Sequence, residues 1–276
     1  MATQSKKSTT GPHAPHPVDT EALLRFAHAL LDETDAIALR HVAGGLTVTA
    51  KPDATLVTQA DTEIETHLRD RIAAAFPTHT VAGEEFGIAA DAGDGRWIMD
   101  PIDATHNVVR GIEVFATLLA FERGGELLVG VVSAPAMYRR WWASRGGGAR
   151  VRVDGVERAI HVSSVDSVAQ AQITFSTLRG LDAAGLGPGL RRLTGAAWRD
   201  RGFGDFWGHM LVAQGSAEVM LEYGVAPWDM AAPHLIVTEA GGRMSDLDGR
   251  ASWSGPQVIS SNGVLHDRVL EMLKRP

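Results

Sequence analysis

The sequence contains no cysteine, no long uninterrupted hydrophobic run and no excess of basic residues. Without cysteine, disulfides, thiolate metal sites and cysteine nucleophiles are excluded. Because no run of about 18 apolar residues occurs, no membrane-spanning helix is expected. The net charge of −7 argues against a nucleic-acid partner, since such binding needs a basic surface. It is compatible with a small phosphorylated substrate, because bound divalent cations reverse the local charge of a site.

The first 18 residues are rich in Ser, Thr, Pro and His and lack the apolar stretch of an export signal. We expect residues 1–18 to form a disordered tail in which His13 and His16 are solvated. From the missing export signal we expect a cytoplasmic protein.

The rest of the chain has the composition of an ordinary globular protein, with 45% hydrophobic and 21% charged residues among 276. Helical periodicity predicts helices over residues 19–44, 61–76, 204–214 and 227–240. Apolar and β-branched runs predict strands over residues 46–51, 96–99, 115–122, 127–133, 140–144, 173–176 and 218–221, and a hairpin over residues 151–162. Pro233 is expected in or near the first turn of its helix, where proline is tolerated. This mixture predicts an α/β or α+β layered protein.

Two carboxylates stand three residues apart in the segment Asp100-Pro101-Ile102-Asp103, and the hydroxyl of Thr105 follows. Oxygen ligands at this spacing suit a hard cation such as Mg²⁺. Two distant acidic segments accompany them, Gly83-Glu84-Glu85 upstream and Pro227-Trp228-Asp229 downstream. Glu239-Ala240-Gly241-Gly242 follows the second of these.

In this order and spacing, the three elements resemble the inositol monophosphatase superfamily of metal-dependent phosphomonoesterases, from about residue 19 to near the C-terminus. The resemblance implies an αβαβα sandwich of the inositol monophosphatase and fructose-bisphosphatase type. It implies an N-terminal α+β subdomain, residues 19–148, with most metal ligands, and a C-terminal α/β subdomain, residues 149–276, with the substrate-specificity residues. It also implies a homodimer.

The resemblance assigns metal ligands residue by residue. Glu84 and the carbonyl of Ile102 correspond to ligands of a first metal, and Asp100 corresponds to a bridge between two metals. Asp103 and Asp229 correspond to ligands of the second metal. The implied cofactor is Mg²⁺, with two ions per site and room for a third. The resemblance also implies that Mn²⁺ can replace Mg²⁺. Since clustered carboxylates repel one another, we expect cations to stabilise the folded site.

Simpler interpretations remain for these residues. Glu84 could be an exposed loop residue, Asp100-Pro101 could start a turn, and Asp229 could only cap a helix.

The resemblance also implies a catalytic group around the attacking water. Thr105 and Asp61 correspond to a pair that holds or activates this water, and Lys51 corresponds to a lysine near the metals. Asp61 could alternatively be the N-cap of the second predicted helix, or serve both roles. Hydrolysis by metal-activated water then requires no protein nucleophile.

The backbone N–H groups of Ala104 and Thr105 are expected to receive phosphate oxygens at the start of a short helix. Glycine is usual in the family at the position of Ala104, and we expect alanine to lose access to positive φ there. His106 replaces the lysine or threonine that is common in the family. These two departures affect substrate fit and rate rather than the metal ligands.

The C-terminal half is expected to choose the phosphate ester. Glu222 corresponds to a position that contacts the alcohol, and Asp229 lies beside the substrate as well as on the metal. Asp205 stands where the histidinol-phosphatase branch carries an aspartate, which would suit a substrate amine; alternatively it is a helix N-cap.

Further similarity to actinobacterial histidinol-phosphate phosphatases lies in residues 133–136, in Arg110 and in residues 139–143. Trp141 and Trp142 within the last segment are expected to be strand-core residues. His209 and His234 are interpreted as structural or surface residues.

The leading hypothesis is therefore Mg²⁺-dependent hydrolysis of histidinol phosphate to histidinol and phosphate, a step of histidine biosynthesis. One alternative is a paralogous phosphatase for inositol, sugar or nucleotide monophosphates, in specialised metabolism for example. A remote alternative is a metal-binding regulatory protein with weak catalysis.

Overall fold

The structure, a computed structural model, describes residues 19–51, 55–88, 93–253 and 255–274. The predicted tail, with His13 and His16, lies outside the described residues, as do residues 52–54 of the segment between Lys51 and Asp61. Within the described ranges, no helix has the length and apolarity needed to cross a membrane.

Every predicted helix and strand is present, but the sequence analysis did not predict the further elements within residues 80–88, 178–202, 243–245, 257–261 and 266–274. The helices are α1 Thr20–Gly44, α2 Gln59–Ala75, α3 Thr105–Val109, α4 Leu178–Ala183, α5 Gly187–Ala196, α6 Asp205–Ala213, α7 Pro227–Glu239 and α8 His266–Lys274. The first strands are β1 Val48–Ala50, β2 Leu56–Thr58, β3 Thr80–Gly83, β4 Gly87–Ile88, β5 Arg96–Asp103, β6 Ala116–Arg123, β7 Glu126–Ala134 and β8 Arg139–Ser144. The remaining strands are β9 Gly148–Val153, β10 Val156–Ile160, β11 Gln172–Phe175, β12 Arg199–Gly202, β13 Val219–Tyr223, β14 Arg243–Ser245 and β15 Gln257–Ser261.

Two large sheets form the framework. The eight-stranded sheet has the order β10-β9-β8-β7-β6-β5-β3-β4, and its strands from β5 to β10 are consecutive antiparallel neighbours. The five-stranded sheet has the order β12-β11-β13-β15-β14, with β11 parallel to both of its neighbours. Strand β5 lies between β6 and the parallel β3, so the segment at its end starts from inside the sheet.

Helices cover both faces of each sheet. Leu30 of α1 and Ile64 of α2 share a buried cluster with Val131 of the large sheet. On its opposite face, α6 and α7 lie between the sheets, in a cluster that joins residues of both. Helices α4, α5 and α8 cover the far face of the five-stranded sheet. The predicted αβαβα sandwich is therefore confirmed.

Asp19 at the start of α1 and Pro233 in α7 show what the sequence pattern did and did not determine. Asp19, where the first helix was predicted to begin, is the N-cap of α1, because its carboxylate accepts a hydrogen bond from the N–H of Ala22. Pro233, expected in or near the first turn of α7, instead lies inside the helix, six residues after Pro227. It has no N–H to donate to the carbonyl of Asp229. The helix nevertheless continues through this position, where Pro233 is buried.

The predicted division at residues 148 and 149 falls inside β9. Strands β9 and β10 pair with each other and, through β8, with the large sheet. The five-stranded sheet begins only with β11 at Gln172. We therefore propose that the junction between the subdomains lies in the segment between β10 and β11.

A buried arginine ties α1 to the large sheet. The Arg140 side chain donates from Nε to Ser133 Oγ at 2.9 Å and from Nη2 to Asp35 Oδ2 at 2.6 Å. It also donates from Nη1 to the carbonyl of His28 at 3.0 Å. Only 2% of the Arg140 surface is exposed, so its guanidinium has lost its hydrogen bonds to water. The hydrogen bonds to these partners replace them.

The Arg140→Ala variant should lower the free energy of unfolding by about 3 kcal/mol, because Asp35 would keep a largely buried charge without its partner. Urea denaturation followed by circular dichroism measures this change. The control is Arg145→Ala, which removes an exposed ion pair with Glu126 and should cost less than about 1 kcal/mol. Equal losses in the two variants would contradict the interpretation.

Candidate metal centre and active site

Three carboxylates converge where β5 ends and α7 begins. Asp100 and Asp103 lie on β5, and Asp229 is the third residue of α7. One carboxylate oxygen from each lies within 4.8 Å of the other two. Asp100 Oδ1 is buried and has no hydrogen-bond partner, although buried carboxylate oxygens normally have one. The predicted grouping of these three residues is therefore present.

Burial and mutual repulsion make this cluster electrostatically unfavourable on its own. Burial raises the pKa of Asp100 well above its usual range, and the charges of Glu84 and Asp103 raise it further. Burial likewise raises the pKa of Asp103, followed by the charges of Asp205 and Asp229. Burial also raises the pKa of Asp229, to about 7, although a backbone N–H opposes this effect. Converging oxygen donors with an unpartnered buried oxygen fit a hard divalent cation, which would relieve the repulsion.

Two helix N-termini point backbone donors at the cluster. The N–H of Phe206, in the first turn of α6, donates to Asp103 Oδ2 at 2.7 Å. The N–H of Ala226, the N-cap of α7, donates to Asp229 Oδ2 at 2.7 Å. Asp229 is thus part of the helix cap, as one interpretation held, and also a member of the acidic cluster. Each donor binds only one oxygen of its carboxylate.

Glu84 lies in the turn after β3, outside the group of three, but its charge contributes to the raised pKa values of Asp100 and Asp229. Lys51 Nζ donates to Glu84 Oε1 at 2.8 Å and to Glu85 Oε1 at 2.7 Å. Burial alone would lower the pKa of Lys51, but these two contacts raise it overall. Lys51 therefore compensates part of the negative charge at the edge of the cluster.

Asp61 and Thr105 meet as predicted, although Asp61 is not the N-cap of α2. The N-cap is Thr58, whose N–H and hydroxyl donate to Asp61 Oδ2 at 2.9 and 2.6 Å. Thr105 Oγ1 lies 3.4 Å from Asp61 Oδ1 and 2.9 Å from the carbonyl oxygen of Ile102. Burial raises the pKa of Asp61. The buried Asp61 carboxylate is consequently fixed on one side and faces Thr105 on the other.

Ala104 adopts a conformation that was not expected of it. We predicted that alanine would lose access to positive φ, but Ala104 has φ 67° and ψ 43° and is the N-cap of α3. The prediction was wrong because the surrounding chain, from the buried Asp103 into α3, imposes the left-handed conformation. For a residue with a Cβ this conformation costs about 1–2 kcal/mol.

Asp205 and Glu222 lie together beside Asp103. The N–H of Asp205 donates to Glu222 Oε2 at 3.0 Å. Burial, followed by the charge of Asp205, raises the pKa of Glu222 well above its usual range. Asp205 has φ 57° and is the first residue of α6, whereas Gly204 is the N-cap, so the alternative of Asp205 as N-cap was wrong.

His209 is fully buried behind Glu222, which agrees with its interpretation as a structural residue. Its Nδ1 lies 2.5 Å from Ser260 Oγ, and its Nε2 lies 3.8 Å from Glu222 Oε2. Burial lowers the pKa of His209 to about 3, so its ring is neutral at physiological pH.

Sequence reasoning did not single out Glu65 or the N–H of Phe206. Glu65 is a fully buried carboxylate on α2, one turn after Asp61. Its position four residues after Asp61 places the two side chains on one face of the helix, and this spacing could have identified it. The role of the Phe206 N–H depends on tertiary structure and has no signal in the sequence.

The Ala104→Gly variant should raise the free energy of unfolding by about 1 kcal/mol, because glycine adopts the left-handed conformation without a steric penalty. Chemical denaturation measures this change, and turnover should be kept or increased. The control is Ala74→Gly, an exposed position of α2, where glycine should destabilise by about 1 kcal/mol. A severe loss of turnover in Ala104→Gly would mean that the loop is packed around the alanine methyl group.

Comparison with known proteins places the chain among phosphatases. A histidinol-phosphatase of Streptomyces coelicolor is 44% identical over 258 residues, which cover 91% of this chain and 97% of the relative. A histidinol-phosphatase of Mycobacterium tuberculosis is 44% identical over 252 residues, with the same coverage of 91% and 97%. A solved IMPase/NADP phosphatase in complex with Mg²⁺ and phosphate superposes with a TM-score of 0.82 at 26% identity, covering 93% of this chain and 97% of that one. Residues 19–275 match the inositol monophosphatase family, and the chain therefore belongs to this family.

Proposed function

We propose that this protein is a Mg²⁺-dependent phosphoric monoester hydrolase whose substrate is histidinol phosphate. The observation that carries the proposal is the convergence of Asp100, Asp103 and Asp229, together with the buried, unpartnered Oδ1 of Asp100. The choice of ester is supported by the two 44% identical relatives named histidinol-phosphatase.

Five groups of this chain would hold the metal ions: the carboxylates of Glu84, Asp100, Asp103 and Asp229 and the carbonyl of Ile102. When bound, Mg²⁺ supplies polarisation of the phosphoryl group, acidification of water and stabilisation of the leaving oxygen. The family resemblance favours two ions with an option for a third. The phosphatase complex with Mg²⁺ and phosphate supports the choice of metal.

The protein groups around the metals would position water and phosphate. The Thr105 hydroxyl lies between the Ile102 carbonyl and Asp61, and one of its lone pairs remains able to accept a hydrogen from water. The Asp61 carboxylate, fixed by Thr58, would orient the same water. The backbone N–H groups of Ala104 and Thr105, where α3 begins, would donate to phosphate oxygens.

Asp205 and Glu222 would recognise the alcohol part of the substrate. Both carboxylates border Asp103, and both raise its pKa by their charge. Histidinol carries an amine, and a pair of carboxylates favours a cationic group over a neutral one. Ala104 and His106 differ from the usual family residues and support the second candidate, a paralogous phosphatase acting on inositol, sugar or nucleotide monophosphates.

The proposal is tested by phosphate release with Mg²⁺ from histidinol phosphate, inositol 1-phosphate, fructose 1,6-bisphosphate and AMP. The value of kcat/KM should be highest for histidinol phosphate by about tenfold or more, since one well-placed charged hydrogen bond contributes about 1.5–3 kcal/mol. A preference for another ester would favour the paralogue. Undetectable turnover of every ester would favour the metal-binding regulatory protein.

Asp205→Asn should raise KM for histidinol phosphate about tenfold and leave KM for inositol 1-phosphate nearly unchanged, because only the cationic substrate loses a charged partner. Steady-state kinetics on both esters measures the difference. Asp200→Asn, an exposed aspartate on β12, is the control and should change neither value. An equal effect of Asp205→Asn on both substrates would mean that Asp205 has only a structural role.

Asp100→Asn should abolish Mg²⁺-dependent hydrolysis while the fold persists. Without metal, the variant should unfold at the same temperature as the wild type or higher, because one repelling charge has been removed. Addition of Mg²⁺ should raise the melting temperature of the wild type but not that of the variant. Substantial residual hydrolysis would contradict the proposed bridging role of Asp100.

We also propose a homodimer, as the resemblance implies. The exposed apolar side chains of Leu39, Val42 and Ile112 border a groove near the half-buried Met137, and this surface supports the proposal. Sedimentation of the full chain tests it, and a monomer at micromolar concentration would refute it. The cytoplasmic location stays a prediction.

A further inference from the structure

Glu65 is a buried carboxylate to which the candidate mechanism assigns no role. It lies on α2, and none of its surface is exposed to solvent. Its Oε2 accepts a hydrogen bond from the N–H of Glu85 at 2.8 Å, and its Oε1 accepts one from the N–H of Phe86 at 3.1 Å. The two N–H groups belong to the turn between β3 and β4 that carries Glu84. Glu65 therefore binds the backbone of the turn on the C-terminal side of Glu84.

Arg69 completes this arrangement from the next turn of α2. Its Nε donates to Glu65 Oε1 at 2.8 Å, which neutralises the buried charge. Its Nη2 donates to the carbonyl of Gly87 at 2.9 Å, at the far end of the same turn. The guanidinium also lies 5.7 Å from the centre of the Phe86 ring. Glu65 and Arg69 together hold three successive residues of the turn, 85 to 87.

Gly83 allows the turn to approach Glu65 closely. A Cβ built on Gly83 would lie 2.3 Å from Glu65 Oε1, which is shorter than any normal contact. The residue on the N-terminal side of Glu84 thus touches the same carboxylate that binds the residues on its C-terminal side. Glu84 is fixed from both sides by one buried group.

Glu65 connects the turn that carries Glu84 to the helix that carries Asp61. Asp61, one turn earlier on the same helix, faces Thr105. One rigid helix consequently positions both the group that faces Thr105 and the turn that carries Glu84. Groups that orient metal ligands from outside the coordination sphere typically change metal affinity 10–100-fold when mutated.

We infer that Glu65 is a positioning residue for the metal centre, which sets the affinity for one metal ion by fixing the backbone around Glu84. The inference rests on the proposed function, because it takes Glu84 to be a metal ligand. Glu65 itself does not reach the metals or the substrate in this role. It acts through the N–H groups of Glu85 and Phe86 and through its contact with Gly83.

The test is Mn²⁺ binding to the full chain, measured from the electron paramagnetic resonance signal of free Mn²⁺. Glu65→Gln replaces one acceptor oxygen by an NH₂ group, which faces the N–H groups of the turn and repels them. For one of the bound ions, Kd should rise about 10- to 100-fold. In steady-state kinetics, the Mg²⁺ concentration needed for half-maximal rate should rise while kcat at saturating Mg²⁺ is restored.

A second variant reaches the same contact from the opposite side. Gly83→Ala should displace the Glu65 carboxylate and produce a similar rise in Kd for Mn²⁺, although Glu65 itself is not substituted. The variant keeps the inference testable should Glu65→Gln fail to fold. The matched control is Glu63→Gln on the exposed face of α2, which removes an ion pair with Arg40 and should leave Kd unchanged.

The outcomes separate this inference from the proposed function. Unchanged Mn²⁺ affinity in folded Glu65→Gln or Gly83→Ala would overturn the inference alone. A loss of kcat that saturating Mg²⁺ does not restore would also overturn it, since it would indicate a general structural role. Absence of Mn²⁺ binding by the wild-type chain would overturn the proposed function and this inference with it.

Discussion

Repulsion among buried carboxylates is the constraint on which the arrangement of this protein depends. One carboxylate oxygen from each of Asp100, Asp103 and Asp229 lies within 4.8 Å of the other two, and because Asp100 and Asp103 are buried and Asp229 is half-buried, little water screens them. Such a cluster persists only when fixed dipoles and cations offset the repulsion. The helix N-termini at Phe206 and Ala226 supply dipoles, and Lys51 supplies one cation at the edge. The remaining negative charge is what the proposed divalent cations would offset.

The layered fold brings these compensating groups together from distant parts of the chain. Strand β5 is an interior strand of the large sheet: β3 pairs with it as far as Met99, and β6 continues beside its acidic end at Asp100 and Asp103. Helices α6 and α7 pack between the two sheets, and their first turns both meet the end of β5. On the opposite face, α2 presents Asp61 and Glu65 to the same region. Three layers therefore contribute to one site, and each is anchored by its own hydrophobic contacts.

Much of this could be predicted from the sequence, because the relevant signals are local. The spacing of Asp100 and Asp103 after an apolar strand predicted an acidic site, and the family resemblance added Asp61, Glu84, Thr105 and Asp229. What could not be predicted depends on tertiary packing. The backbone of Ala104 follows from its neighbours rather than from alanine's own preference, so a rule on single residues gave the wrong conformation. Likewise, β9 and β10 read locally as a separate hairpin, and only pairing with β8 assigns them to the large sheet.

The first turn of α6 has a consequence for how substrate range can change within such a protein. Two successive peptide groups serve two different purposes: the N–H of Asp205 binds Glu222, and the N–H of Phe206 binds Asp103. Gly204, just before them, has no space for a side chain, since a Cβ there would lie 2.8 Å from Ser176. Evolution or protein engineering that remodels this turn for a new alcohol would also reorient a carboxylate of the acidic cluster. New specificity is therefore more accessible through substitution of side chains around the site than through insertions or deletions at the start of α6.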